Sequence, residues 1–159
     1  IFATIFLGEA FDFYEQNWWW DVLLHGGSAV GFGLFSFLLV FMLFQGDRYS
    51  APPVALAFIT YSCAVAVGVT WEIFEYSADQ ILGLNMQKSG LQDTMWDLIV
   101  DCIGASIAAL AGFLYLKEKE LGGLTGLIEE FIFLNKKFFS KLKEAGKGKK
   151  TKADKPEGK

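Results

Sequence analysis

The sequence contains few of the residues that build cysteine-based or histidine-based sites. Its two cysteines, Cys63 and Cys102, both lie inside apolar runs, where a free cysteine usually packs as a small hydrophobic side chain. Two cysteines at this spacing indicate neither a disulfide framework nor a thiolate metal site. His25 is the one histidine, which excludes HExxH and every other motif built on two histidines. Any metal site in this chain must therefore depend mainly on carboxylates.

Basic residues are also scarce over most of the chain. Up to Asp101 there are two, Arg48 and Lys88, against eleven acidic residues. From Cys102 onward the balance reverses, with twelve lysines against seven acids. The lysine-rich end lacks the interleaved aromatic residues of a nucleic-acid-binding surface and the rest of the chain is acidic, so we expect no nucleic acid partner.

Apolar residues, in contrast, are abundant. Hydrophobic types make up 53% of the chain and aromatic types 16%, and the mean hydropathy is +0.34, which is above the usual range for a soluble domain. Three apolar runs, at residues 22–44, 53–71 and 97–116, are long enough at about 1.5 Å per residue to cross a hydrocarbon core of about 30 Å. The sequence therefore predicts an all-α polytopic membrane bundle with three complete transmembrane helices.

The two ends of the chain predict further elements. Residues 1–14 start within an apolar segment too short to cross, so we expect the end of an earlier transmembrane helix, and residues 1–117 form the bundle. Residues 118–144 place apolar and charged positions at helical spacing, which predicts an amphipathic helix in the cytoplasmic interface of the membrane. Its apolar positions are Leu124, Leu127, Ile128, Phe131, Phe138 and Leu142. Residues 145–159 are lysine-rich without large apolar side chains, and we expect disorder.

Short connections between the predicted spans place their ends alternately on the two sides of the bilayer. Arg48 and the lysine-rich tail share one side, which the positive-inside tendency assigns to the cytoplasm. The aromatic run NWWWD at residues 17–21 then forms a belt at the opposite surface, where indole rings sit between headgroups and acyl chains. The sequence therefore predicts a multi-pass cell-membrane protein with a cytoplasmic C-terminus.

Four glycines follow His25 in the run HGGSAVGFG. No strand precedes this run, so it does not resemble a phosphate-cradling loop. Glycine on a transmembrane helix lets a neighbouring helix approach closely. We therefore expect helix packing at Gly26, Gly27, Gly31 and Gly33.

Polar residues interrupt the apolar runs at one common depth. Counting about twenty residues from each predicted cytoplasmic end places the opposite edge of the hydrocarbon core near His25, Glu72 and Trp96. On each helix the polar residues recur every three or four positions and therefore lie on one face. We expect the three faces to turn toward one another, because acids exposed to lipid are costly. Glu9 and Asp12, near the end of the first segment, would add a fourth wall.

So many carboxylates around one imidazole cannot all remain ionised at low dielectric. Either several keep their protons or a cation is bound, and both alternatives stay open. Carboxylate oxygens with a single imidazole suit Mg, Ca, Mn, Zn or Fe. A hydrogen-bonded network that only locks the helix ends together is the competing interpretation. The predicted ligands of a divalent cation are Asp21, His25, Glu72, Glu75, Asp79, Asp93, Asp97 and Asp101.

Three segments together resemble a known family. WWDVLLHGGSAVGFGL, WEIFEYSADQILG and LQDTMWDLIVDCIGA are similar in order and spacing to the YjdF-like family of small inner-membrane proteins, which is distantly similar to VanZ-like proteins. The resemblance covers residues 19–116 and implies a polytopic membrane fold that shares the polar cluster. It implies no particular reaction. The amphipathic, lysine-rich extension departs from the family pattern.

Three functions agree with these features. The first is an accessory or structural subunit of a membrane complex, with a cation held at the extracytoplasmic face, because three spans make a thin core that suits lipid and subunit partners. The second is a metal-dependent membrane enzyme acting on a lipid or lipid-linked headgroup, with Glu72 or Glu75 as base and His25 as ligand or acid. The third is a cation or proton pathway through the stacked carboxylates.

Overall fold

The protein is a bundle of long helices. The structure, a computed structural model, describes residues 19–44, 52–118, 122–141 and 144. The helices within these ranges are α1 (Trp19–Leu43), α2 (Pro53–Leu82), α3 (Leu91–Leu116) and α4 (Gly122–Leu134). The first three are long and apolar enough to cross a membrane, which confirms the predicted all-α polytopic bundle and makes this an integral, multi-pass membrane protein. The expectations for residues 1–14, Glu9, Asp12, Arg48 and the 145–159 tail fall outside the described residues.

Two of the spans are longer than their apolar runs. Helix α2 begins with Pro53, whose fixed φ suits a first helical turn, and continues eleven residues beyond the predicted end at Trp71. It stops at Gly83, which has a φ of 68° and donates its N–H to the Asp79 carbonyl, a left-handed helix end that favours glycine. Helix α3 begins at Leu91, six residues before the predicted start. The acidic residues therefore stand on helices rather than in connecting loops.

The largest fully buried side chains lie at the end of the bundle opposite the acidic residues. Phe37 on α1 is completely buried and stacks on Phe41 with ring centroids 5.7 Å apart. Tyr115 of α3 meets both rings edge-on, at 6.0 and 5.8 Å. Leu56 of α2, also completely buried, completes the contact among the three helices. We call this group, Phe37, Phe41, Leu56 and Tyr115, the aromatic core.

Helix α4 packs on this same end through a smaller set of residues than its pattern predicts. Ile128 is buried against the aromatic core, as is Phe139, which follows the end of α4. The amphipathic helix predicted over 118–144 is interrupted by a turn at Asn135. Other predicted apolar-face residues, Leu127 among them, are exposed. One face of the 122–141 segment therefore packs on the bundle, and a second face leaves apolar side chains exposed.

Small residues let α1 and α3 approach closely. A Cβ added to Gly33 would lie 2.5 Å from the Ala108 Cβ, and one added to Gly26 would lie 3.2 Å from Val100. Both distances are shorter than ordinary van der Waals contact. The packing prediction is confirmed for these two glycines. At Gly27 and Gly31, in contrast, an added Cβ would meet nothing within 4 Å.

We expect Gly104→Ala to lower the free energy of unfolding by about 1–3 kcal/mol, the usual cost of overpacking. An added Cβ at Gly104 would lie 2.7 Å from the Gly26 carbonyl oxygen and 2.8 Å from the Ala29 Cβ, and backbone atoms cannot move aside locally. Unfolding in mixed detergent micelles measures the change. Gly31→Ala is the matched control, because that position is open and alanine favours a helix. Equal stability of the two variants would contradict the close approach.

Candidate metal centre

Helices α1, α2 and α3 bring their acidic faces together at one end of the bundle. Asp21 and His25 are four residues apart on α1, and Asp97 and Asp101 are four apart on α3, so each pair lies on one helix face. Glu72 of α2 completes the group. Only 3–4% of the surface of Glu72, Asp97 and Asp101 is exposed. We call these five residues the acidic centre.

His25 stands in the middle of the acidic centre. Its Nδ1 lies 3.5 Å from the Asp101 Oδ1 and 3.9 Å from the Glu72 Oε1, and its Nε2 lies 3.9 Å from the Asp21 Oδ1. These separations are longer than good hydrogen bonds of 2.7–3.2 Å. One imidazole thus faces carboxylates from all three membrane helices without being tightly bound to any of them.

Three residues of the acidic centre have the geometry of a metal-binding group. Asp21, His25 and Asp97 each offer one ligand atom, and these atoms all lie within 4.8 Å of one another. Ligand atoms lie about 3.4 Å apart around a tetrahedral zinc ion, and up to about 5.2 Å apart when they stand opposite one another on calcium. The group can therefore close on one divalent cation after small side-chain movements.

Two further carboxylates of the centre are buried with incomplete partners. Among the described residues, both oxygens of Glu72 and the Oδ2 of Asp101 lack a hydrogen-bond partner. The Asp101 carboxylate packs directly on Gly68, where an added Cβ would overlap it. Burying an unpaired carboxylate costs several kcal/mol unless it is neutralised by a proton or a cation. The acidic centre therefore needs either protons on some of its carboxylates or a bound cation in addition to its one imidazole.

Three predicted ligands make other contacts. Asp79 accepts the backbone N–H groups of Met86 and Gln87 at 2.7 and 2.9 Å, and Asp93 accepts that of Lys88 at 3.1 Å. Both aspartates thus fix the loop between α2 and α3, and neither belongs to the three-residue group. Glu75 accepts the indole N–H of Trp71 at 2.9 Å. A role of these three acids in metal binding stays a prediction.

A cavity of about 850 Å³ adjoins the acidic centre. It lies between α1 and α2 with Asp101 of α3 on its wall, and its polar end is formed by Asp21, His25, Glu75 and Asp101. The rest of its lining is mostly apolar and includes Phe32 and Val67. The sequence did not predict this cavity, because the apolar residues of its wall have the same pattern as any lipid-facing membrane helix. Gly68 was the available signal, since it precedes Glu72 by one turn on the same face.

Three membrane-crossing helices around a buried carboxylate and imidazole group define an integral membrane protein with a polar centre. The chain belongs to the predicted membrane protein family DUF2238, which matches residues 1–118. It is 31% identical over 104 residues to a protein of Thermotoga maritima described as an uncharacterized protein. That alignment covers 65% of this chain and 53% of the relative's length. No solved structure matches the chain, and the narrower likeness to YjdF-like and VanZ-like proteins stays a prediction.

Proposed function

We propose that this membrane protein binds one divalent cation in the acidic centre, at the extracytoplasmic face. The observation that carries the proposal is the convergence of Asp21, His25 and Asp97, whose ligand atoms lie within 4.8 Å of one another. The buried, unpartnered oxygens of Glu72 support it, because a nearby cation would offset the cost of burying this carboxylate. The assignment to the extracytoplasmic face rests on the charge asymmetry of the chain, which predicts a cytoplasmic location for its basic C-terminal part.

The proposed role of this cation is to tie the ends of α1 and α3 together in an accessory or structural subunit. Asp21 and His25 come from α1 and Asp97 from α3, so an ion held by the three joins two helices. Outward-facing side chains such as Phe35 and Phe58 leave an apolar surface for lipid or for other subunits. This role needs no substrate and no exchange of the cation.

A metal-dependent enzyme acting on a lipid or lipid-linked headgroup is the second candidate. The observation that favours it is the cavity, which reaches His25 and Glu75 from the membrane-embedded side. When bound, a divalent cation would polarise an ester or activate water there. Glu75 would serve as the base, since it lines the cavity, whereas Glu72 is buried and is not part of the lining.

A transmembrane cation or proton pathway has less support. Beyond Asp101 the bundle interior narrows to the aromatic core, in which Phe37 and Leu56 are completely buried. Thr60 is buried between the two regions, and its hydroxyl has no hydrogen-bond partner among the described residues. A relay needs a continuous series of polar groups, so we favour a closed binding site.

Metal analysis of the purified protein tests the proposal. We expect the detergent-purified wild type, dialysed against a trace of Mn²⁺, to retain close to one metal per chain by elemental mass spectrometry. Asp97→Asn removes the charge of a buried ligand and should abolish retention, because each of the three ligands supplies a large share of the affinity. Asp79→Asn is the control, since it removes a charge at the same end of the bundle and its amide oxygen still accepts one of the two loop N–H groups that Asp79 binds.

The control separates a site from non-specific attraction. Both substitutions remove one negative charge from the same end of the bundle, so a diffuse ion atmosphere would be reduced equally by each. Loss in Asp97→Asn together with retention in Asp79→Asn supports the acidic centre. Absence of bound metal from the wild type across Mg²⁺, Ca²⁺, Mn²⁺, Zn²⁺ and Fe²⁺ would refute the proposal and leave shared protons as the neutralising charge.

A further inference from the structure

The cavity beside the acidic centre has two chemically different ends. Asp21, His25, Glu75 and Asp101 form the polar end. The remainder runs between α1 and α2, past Phe32 on one helix and Ala64 on the other. Its volume of about 850 Å³ lies within the range of about 300–1,000 Å³ that is common for sites of small molecules. An occupant must therefore carry a charged group at one end and a hydrocarbon portion behind it.

The length of the cavity matches one leaflet of a bilayer. Its lining extends on α1 from Asp21 to Phe32 and on α2 from Glu75 to Ala64, a separation of eleven positions along each helix. At 1.5 Å per residue this is about 16 Å, or half of a hydrocarbon core of about 30 Å. The edge of the hydrocarbon core is expected near His25 and Glu72, so the polar end lies at the membrane surface and the apolar end reaches about 10–12 Å into the core.

Among the described residues, side chains that line this cavity are accessible from outside the protein. Phe32, Val67 and Phe74 line it and are 41–55% exposed. All three belong to helices that cross the membrane, and at this depth the surroundings are acyl chains rather than water. An opening between α1 and α2 in the described part of the chain would therefore face hydrocarbon, which favours a membrane lipid over a water-soluble ligand.

We propose that the cavity binds one phospholipid, with an acyl chain between α1 and α2 and its phosphate on the cation of the acidic centre. This inference rests on the cation site proposed above, because the carboxylates alone would repel a phosphate. Asp21, His25 and Asp97 supply three ligand atoms, and divalent cations in proteins take four or more ligands. A phosphate oxygen entering from the cavity completes the set, as Mg²⁺ and Ca²⁺ favour oxygen ligands.

Photo-crosslinking in lipid vesicles tests the proposal. The wild type is placed in phosphatidylcholine vesicles with Mn²⁺ and a trace of phosphatidylcholine that carries a diazirine on one acyl chain. We expect crosslinks to concentrate on cavity-lining residues of α1 and α2. Val67→Trp fills the cavity and should lower that labelling at least about fivefold. A fivefold change corresponds to about 1 kcal/mol of lost binding free energy, because about 1.4 kcal/mol is a tenfold change in affinity. Val69→Trp, on the same helix and similarly exposed but outside the lining, should leave it unchanged.

A second probe isolates the phosphate. Diacylglycerol with the same diazirine chain has no headgroup phosphate, so chelation of Mn²⁺ or Asp97→Asn should reduce labelling by the phospholipid and not by diacylglycerol. Electron paramagnetic resonance of Mn²⁺ on the same vesicles reports the cation separately. Bound Mn²⁺ with labelling spread evenly around the helices would overturn the lipid site and leave the cation site standing. Labelling of the cavity that changes neither on chelation of Mn²⁺ nor in Val67→Trp would overturn the inference as well.

Discussion

Replacing Phe37 by alanine is expected to lower the free energy of unfolding by about 3–5 kcal/mol, the usual cost of truncating a buried aromatic side chain. Phe37 is completely buried, and its ring also fills the space over Gly112, where an added Cβ would overlap it. Stacking on Phe41 and edge contact with Tyr115 fix its geometry. In a membrane the loss arises mainly from packing, because lipid is as apolar as the bundle interior.

The matched control lies two residues away on the same helix. Phe35 is 63% exposed and faces lipid in both the folded and the dissociated state of the helices, so Phe35→Ala should change stability by less than about 0.5 kcal/mol. Unfolding by increasing the mole fraction of a denaturing detergent, followed by near-ultraviolet circular dichroism, measures both variants. If Phe37→Ala were no more destabilising than Phe35→Ala, the aromatic core would not hold the three helices together.

The sequence was sufficient for the architecture but not for the lengths of the helices. Apolar runs mark the part of a helix that contacts hydrocarbon, so the runs at 53–71 and 97–116 stop where the carboxylates begin. Backbone hydrogen bonding does not stop there, and α2 continues to Gly83, a residue that tolerates the left-handed conformation of a helix end. The break at Asn135 was missed, because a heptad-like pattern of apolar residues continues across it.

The parts of the candidate site that depend on helical spacing were predictable from the sequence. The parts that depend on loop contacts or on helix packing were not. The four-residue spacings of Asp21 with His25 and of Asp97 with Asp101 placed these pairs correctly on inward faces. Asp79 has the same kind of spacing from Glu75, yet the loop amides of residues 86 and 87 use its carboxylate. The cavity was not predictable, because it depends on how α1 and α2 pack in three dimensions, which helical spacing alone does not determine.

Glu72→Met is expected to raise the free energy of unfolding of the metal-free protein by about 1–4 kcal/mol. The side chain is 4% exposed, and among the described residues neither of its oxygens has a hydrogen-bond partner. Replacement of a buried charged group by an apolar side chain of similar size removes its desolvation cost. Glu75→Met makes the same chemical change one turn along α2, where the carboxylate is bound by the Trp71 indole, and should give no such increase.

The same variant is expected to lose most of the stabilisation that a cation provides. A cation at one hundred times its dissociation constant adds about 2.7 kcal/mol to a protein that binds it only when folded, and Glu72 faces the imidazole of the proposed site at 3.9 Å. The free energy of unfolding is measured for the wild type and for Glu72→Met, each with and without Mn²⁺. These four values separate the effect of the buried carboxylate from the effect of the cation. If the acidic centre were only a polar lock, Mn²⁺ would stabilise neither protein and Glu72→Met would weaken the bundle. If metal-free Glu72→Met is instead more stable than the metal-free wild type and Mn²⁺ no longer stabilises it, Glu72 serves cation binding at the expense of stability.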